Sequence, residues 1–163
     1  MLFHLPTLPT ILLDVAAWLI IHIGVSYLMT NIPLSLFDAE FCLYKQRKWE
    51  KDGKIYVRMF RLKKWKRRLP DGAALFKKGF KKKHLKGLDS VYLDSFIRET
   101  CRAELTHWIM FLFSAVFFIW NPWYVGIVMI AYAILVNLPC IIIQRYNRIR
   151  LTRVYSRLTS LSA

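Results

Sequence analysis

His107 to Ile143 reads HWIMFLFSAVFFIWNPWYVGIVMIAYAILVNLPCIII, and no Asp, Glu, Lys or Arg interrupts it. The stretch divides at Asn121-Pro122, a turn signal. Before it, His107–Trp120 gives 14 uncharged residues, or 18 if the run starts at Ala103 and admits Glu104. After it, Trp123–Ile143 gives 21. A helix rises 1.5 Å per residue, so the second run covers about 31 Å, the depth of a bilayer's hydrocarbon. A two-residue break between such runs leaves room only for a tight helical hairpin. The fold is thus read first as two antiparallel membrane-spanning helices.

Charge frames this hairpin. The 163-residue chain carries 25 Lys and Arg against 10 acids, a net of +15, yet 56% of its residues are hydrophobic. The two properties are segregated. No Lys or Arg lies between Met1 and Tyr44 or between Ala103 and Gln144; 20 lie from Lys45 to Arg102 and five from Arg145 to Arg157. Alternating apolar and basic blocks describe an integral membrane protein, and the apolar content excludes intrinsic disorder. A third block, Ile11–Met29, has 19 residues and is also able to span. A cleaved signal peptide fits it poorly, because MLFHLPTLPT before it has no positive charge and no A-x-A site follows. The alternative to three spans is a two-span chain with block one lying in the interface. By the positive-inside bias, the basic insert and the tail face the cytoplasm, and the N-terminus and the Asn121-Pro122 turn face outward.

The expected fold is an all-α, multi-pass cell-membrane protein with about three transmembrane helices in one membrane domain, 1–163. Helices are placed at 11–30, 103–121 and 123–144, a basic cytoplasmic insert at 44–102 and a basic tail at 145–163. Within the insert, Asp52-Gly53 supports a tight hairpin. Ile55, Val57 and Met59 alternate with Tyr56, Arg58 and Phe60 as a short strand would. Leu62–Arg68 mixes Trp65 with cations, and Leu69–Gly72 is a turn. Ala73–Leu85 fits a membrane-surface helix, with Phe76 and Phe80 one turn apart. Asp89–Leu105 fits a helix that runs straight into the second span. Nucleic acid is not an expected partner, because the charge sits beside membrane segments and no nucleic-acid module is visible. Anionic membrane lipid is an expected partner, as is an acidic or phosphorylated donor. Cys42, Cys101 and Cys140 lack CxxC spacing and carry no metal or redox signal, so no metal site is expected.

Polar residues inside apolar runs are site candidates, because lipid penalises them unless they serve a purpose. His107 lies 14 residues before Asn121, and the mirror position 14 after Pro122 is Val136, beside Asn137. Glu104 lies 17 before Asn121, and Pro139 lies 17 after Pro122. An antiparallel pair therefore places Glu104 and His107 level with Asn137, Pro139 and Cys140. Glu104 and His107 are i and i+3, neighbours on one helix face. A histidine beside a carboxylate is a candidate general base. His107 and Glu104 are the candidate catalytic pair, with Glu104 orienting the imidazole. Arg102, Asn137, Gln144, Arg145, Asn147 and Arg148 are candidate substrate-binding residues, some of them to steady an oxyanion. The competing reading is an interfacial Glu–His pair with Trp108 as an anchor, and a positive-inside stop at Gln144–Arg148. Glu99 and Arg102 read as a structural i,i+3 pair, His22 as a neutral histidine bonded to a neighbouring helix, and Asp14 as reaching water at the outer end.

Three stretches then carry a resemblance. They are Leu69-Pro70-Asp71-Gly72-Ala73-Ala74 with Phe76-Lys77-Lys78-Gly79-Phe80; Arg102-Ala103-Glu104-Leu105-Thr106-His107-Trp108; and Asn137-Leu138-Pro139-Cys140-Ile141-Ile142-Ile143-Gln144-Arg145-Tyr146-Asn147-Arg148. In this order, across roughly Phe37 to Leu151, the chain resembles the glycosyl-4,4'-diaponeurosporenoate acyltransferase family. Ile149 departs from it, since proline often follows the equivalent of Arg148. The resemblance implies the late step of staphyloxanthin-type C30 carotenoid synthesis. There a fatty acyl group passes to the glucose C6 hydroxyl of a glycosyl carotenoid ester. It implies an acyl donor such as acyl-CoA or acyl carrier protein as co-substrate, no other cofactor, and a setting in which association with other carotenoid enzymes stays open. It supplies no catalytic residues. The alternative is a non-enzymatic membrane scaffold that binds anionic lipid or a partner enzyme through the basic insert.

Overall fold

The computed structural model describes residues 6–59 and 90–161, which are mostly helical with no strand among them. Helix α1 covers Thr7–Asn31, α2 Lys54–Met59, α3 Ser90–Phe113 and α4 Trp123–Leu161. Three helical stretches, Thr7–Asn31, Ser90–Ile119 and Trp123–Ser160, are long and apolar enough to cross a membrane.

The hairpin forms at the expected turn. Helix α3 tightens into a 3-10 turn over Ser114–Ile119, the Asn121 amide donates to the Phe117 carbonyl, and α4 starts at Trp123. As expected, α3 is one helix through the basic segment and the apolar run. Helix α4 holds 39 residues and continues through Pro139. That is about 58 Å at 1.5 Å per residue, nearly twice a hydrocarbon core. The antiparallel pair therefore persists beyond the apolar zone, where Leu93, Phe96 and Ile97 of α3 pack with Leu151, Tyr155 and Leu158 of α4.

Helix α1 lies along this pair from Asp14 to Met29. Near the turn, Trp18 stacks on Phe117 at 4.7 Å and meets Tyr132 at 5.0 Å, with Ala133 fully buried beneath. At the other end, Val25 and Met29 pack with Cys101 and Met110. Asp14 corrects one expectation. It does not reach water but is 7% exposed, and its Oδ1 accepts from Trp120 Nε1 and Asn121 Nδ2, both at 2.8 Å. The turn of the hairpin thereby satisfies a carboxylate that lipid would otherwise penalise. His22 has a softer partner than expected, with Nδ1 3.3 Å from Met110 Sδ.

The segment 32–58 forms a strap across the basic end of the three helices. Here the expected hairpin and strand do not form. Lys51, Asp52 and Gly53 take φ of 45°, 55° and 79°, so Asp-Gly does turn the chain. The turn, however, links a 3-10 helix, Lys48–Gly53, to α2. The reason is packing. A strand would point Tyr56 away from Ile55 and Val57, whereas all three face one cluster built on Ile142, Ile143, Tyr146 and Ile149 of α4. Gly53 is needed where it stands, since a Cβ there would come 3.2 Å from the Tyr146 ring in a left-handed conformation. The Leu62–Arg68 segment, the Leu69–Gly72 turn and the Ala73–Leu85 helix lie outside the described residues.

Candidate active site

Helices α3 and α4 meet most polar groups at the basic end, as the count from the turn anticipates. Two separate constellations result.

The first is a pair. His107 Nδ1 lies 3.0 Å from Asn137 Oδ1. Asn137 is 1% exposed, and its Nδ2 donates to the Ala133 carbonyl one turn earlier at 3.0 Å. That second bond orients the carboxamide. With the amide nitrogen committed to a carbonyl, the oxygen faces the imidazole and accepts from Nδ1. His107 is half-buried.

The second is an ion-pair network. Glu104 is fully buried. Its carboxylate takes Arg145 Nη1 at 2.9 Å, Arg148 Nη2, and Trp108 Nε1 at 3.4 Å. Arg145 also reaches Glu50 of the strap, Nε to Oε1 at 2.9 Å, and the Leu43 and Lys45 carbonyls at 3.0 and 3.3 Å. Arg148 Nε donates to the Tyr44 carbonyl at 3.1 Å, and its guanidinium lies 5.4 Å from the Tyr44 ring centre. Arg102 pairs with Glu99 at 2.5 Å, as expected, and its Nη1 donates to the Thr30 and Ile32 carbonyls at the end of α1. Three carboxylates thus meet three guanidiniums. Buried charge persists only when paired and hydrogen-bonded in this way.

The geometry reassigns roles among the expected residues. The partner that orients His107 is Asn137, while the Glu104 carboxylate is engaged by two arginines. Arg102, Arg145 and Arg148, candidate substrate-binding residues by sequence, tie α1, α3, α4 and the strap together. Gln144 and Asn147 are half-buried beside that network. Sequence reasoning did not single out Glu50, Tyr56 or Tyr44. Burial pushes Glu50 up, but hydrogen bonds from Arg145, Tyr56 and the Arg47 amide outweigh it and hold its carboxyl below the usual range. Burial, with the bond to Glu50, raises Tyr56. Burial also pushes Tyr44 up to about 12, so both phenols stay neutral. No local motif marks the pairing of Glu50 with Arg145, because the two lie 95 residues apart.

Comparisons with known proteins add a family. A family model described as glycosyl-4,4'-diaponeurosporenoate acyltransferase matches residues 40–157. A protein of that name from Staphylococcus aureus strain USA300 is 37% identical over 137 residues, covering 84% of this chain and 82% of the relative. The protein of the same name from S. aureus strain bovine RF122 / ET3-1 is 38% identical over the same coverage. No solved structure matches. The matched span holds the strap from residue 40, the His107–Asn137 pair and the whole arginine network.

Proposed function

This chain belongs to the glycosyl-4,4'-diaponeurosporenoate acyltransferase family, and from that premise we propose how its basic end carries out the reaction. The chain is a membrane acyltransferase of staphyloxanthin-type carotenoid biosynthesis. The scaffold reading is not favoured by these matches.

In the proposed reaction a fatty acyl group passes from an acyl thioester, such as acyl-CoA or acyl carrier protein, to the glucose C6 hydroxyl of the glycosyl carotenoid. His107 Nε2 takes the hydroxyl proton, and Asn137 holds the ring in the tautomer that allows it. The observation that carries this assignment is the 3.0 Å bond between His107 Nδ1 and Asn137 Oδ1. Depth supports it. His107 lies 14 residues from the turn, about 21 Å along the helix. The base thus stands towards the basic end, where a sugar can sit at the headgroups while polyene and acyl chain stay in lipid. The basic end faces the cytoplasm, where activated acyl donors are made, in keeping with the positive-inside bias. Gln144 and Asn147 border the donor, and the exposed lysines of the strap attract its anionic groups. Glu104, Arg102, Arg145 and Arg148 keep the two helices in register around the base.

The test is a product assay. The chain is expressed in a host that makes the glycosyl carotenoid but does not acylate it, and the pigments are analysed by liquid chromatography and mass spectrometry. The expected result is a mass gain of one fatty acyl group, absent with His107→Ala. A gain that survives His107→Ala in a folded, inserted variant removes His107 from the mechanism and leaves the reaction standing.

A further inference from the structure

Tyr132 and Val136 stand four residues apart on α4, on one line of the helix surface. That line faces α1, because the Tyr132 and Trp18 rings meet with centroids 5.0 Å apart. Trp18 also joins the two helices through its indole Nε1, which donates to Met129 Sδ at 3.4 Å. One turn further towards the basic end the cover stops. Tyr132 is 41% exposed and Val136 38%. At that level α1 leans on α3 and the strap. His22 Nδ1 lies 3.3 Å from Met110 Sδ, and Val25 and Met29 pack with Met110, Cys101, Phe37 and Tyr44. Between α1 and α4 the described residues thus leave a groove open to the bilayer. Its inner end is level with the His107–Asn137 bond, since Val136 adjoins Asn137. Its outer end is closed by Trp18, stacked on His22 and Phe117 with centroids 5.3 and 4.7 Å away. Tyr132 lies five residues outward of Asn137, about 7.5 Å along the axis.

Building on the proposed acyl-transfer reading, we propose that this groove seats the conjugated polyene of the acceptor. The reaction sets its path. With the sugar hydroxyl at His107, the chain attached to the sugar must leave the site through the apolar zone. A conjugated polyene is a stiff rod that does not coil aside as a saturated chain does, so it needs a straight surface beside the base. The Val136–Tyr132 line supplies one, running along α4. The lining also suits this occupant. Aromatic rings offer a π face to a π system, and the thioethers of Met110 and Met129 are soft and polarisable. A saturated acyl chain gains less from either. The polyene crosses Val136, lies against the exposed part of the Tyr132 ring and continues into lipid. The groove takes no part in the chemistry. It holds the acceptor equally well before and during acyl transfer, so its contribution falls on KM and not on kcat.

The experiment measures steady-state kinetics of the full chain in lipid nanodiscs, with palmitoyl-CoA as donor and the glycosyl carotenoid as acceptor. Val136→Trp fills the groove, and Leu135→Trp places the same bulk on the exposed face beside it. The expected result is a KM for the carotenoid raised about 10-fold by Val136→Trp, with kcat and the KM for palmitoyl-CoA unmoved. Leu135→Trp should match the wild type. Tyr132→Leu, which keeps an apolar surface but removes the ring, should raise the same KM. Octyl glucoside, a sugar on a short flexible chain, should serve wild type and Val136→Trp equally. Binding is also read without turnover. The polyene absorption band should gain circular dichroism on wild type and on His107→Ala, and not on Val136→Trp. The proposal is overturned if Val136→Trp and Tyr132→Leu both keep the wild-type KM for the carotenoid, which gives the groove to membrane lipid. It is equally overturned if they raise the KM for palmitoyl-CoA instead, which gives it to the donor's acyl chain. Wild type that binds the polyene but makes no product would overturn the acyl-transfer reading and leave the groove standing. Product without an induced band would do the reverse.

Discussion

Asn137 bonds with both ends of one carboxamide, and each bond fixes the other. Removing its side chain leaves His107 free to present the wrong nitrogen to the substrate. Asn137→Ala should therefore lower kcat more than it raises KM for the acceptor, in the pigment assay run with purified protein. His107→Ala should lower turnover by about 100-fold to 10,000-fold, the usual range for a positioned base. Glu104→Ala should behave differently. It strands two guanidiniums in the interior, and breaking a buried pair costs about 3–5 kcal/mol. The expected readout is a lowered thermal midpoint in detergent and poor recovery from membranes. A Glu104→Ala protein with wild-type thermal stability would contradict the structural role given to that carboxylate.

At the scale of elements, the strap depends on Glu50. Its folded carboxyl titrates below its unfolded one, so the ionised form stabilises the fold above the ordinary carboxylate range, and that stabilisation drains away as acid protonates it in the folded state. Thermal midpoints measured from pH 7 down to about pH 3 should fall. Glu50→Gln should start lower at pH 7 and fall less, because the titrating group is gone. Parallel curves for the two proteins would mean that Glu50 is not the group responsible.

The strap also shows where the sequence ceased to be readable. The hairpin was legible because two apolar runs and Asn-Pro leave one arrangement, and the steady helical rise then fixed the level of His107 and Asn137. The path of residues 32–58 has no period, so nothing local tells Glu50 that it meets Arg145. Alternation suggested a strand at Ile55–Met59, but an alternating pattern does not say how many sides a core covers, and one cluster took Ile55, Tyr56 and Val57 together. The ion pairs of the arginines were unreadable for a related reason. The positive-inside bias accounts for any cation at a membrane edge, so it does not separate those facing water from those buried against carboxylates.

At the scale of the molecule, α1 runs from the turn, where Asp14 is held, to the basic end, where Arg102 closes its last carbonyls. It therefore traverses the same depth as the hairpin. Cys42 just beyond it is exposed and reports on orientation. In intact cells a membrane-impermeant maleimide should leave Cys42 unlabelled, and should label it once the membrane is opened. Labelling in intact cells would invert the topology and place the donor site on the wrong side for a cytoplasmic thioester.

The clamp between Asp14 and the turn has a history as well as a geometry. Its two halves are separated by 106 residues of chain. At synthesis rates of about 5–20 residues per second, the carboxylate waits roughly 5–20 s for Trp120 and Asn121 to be made. During that interval the first helix must hold its place with an acid still hydrated at the bilayer rim. Biogenesis is then ordered: the newborn chain stays half-anchored until the hairpin crosses and locks it. Asp14→Asn should relieve that waiting state while loosening the finished bundle, so in pulse–chase the variant should insert sooner and, once inserted, be degraded faster than the wild type.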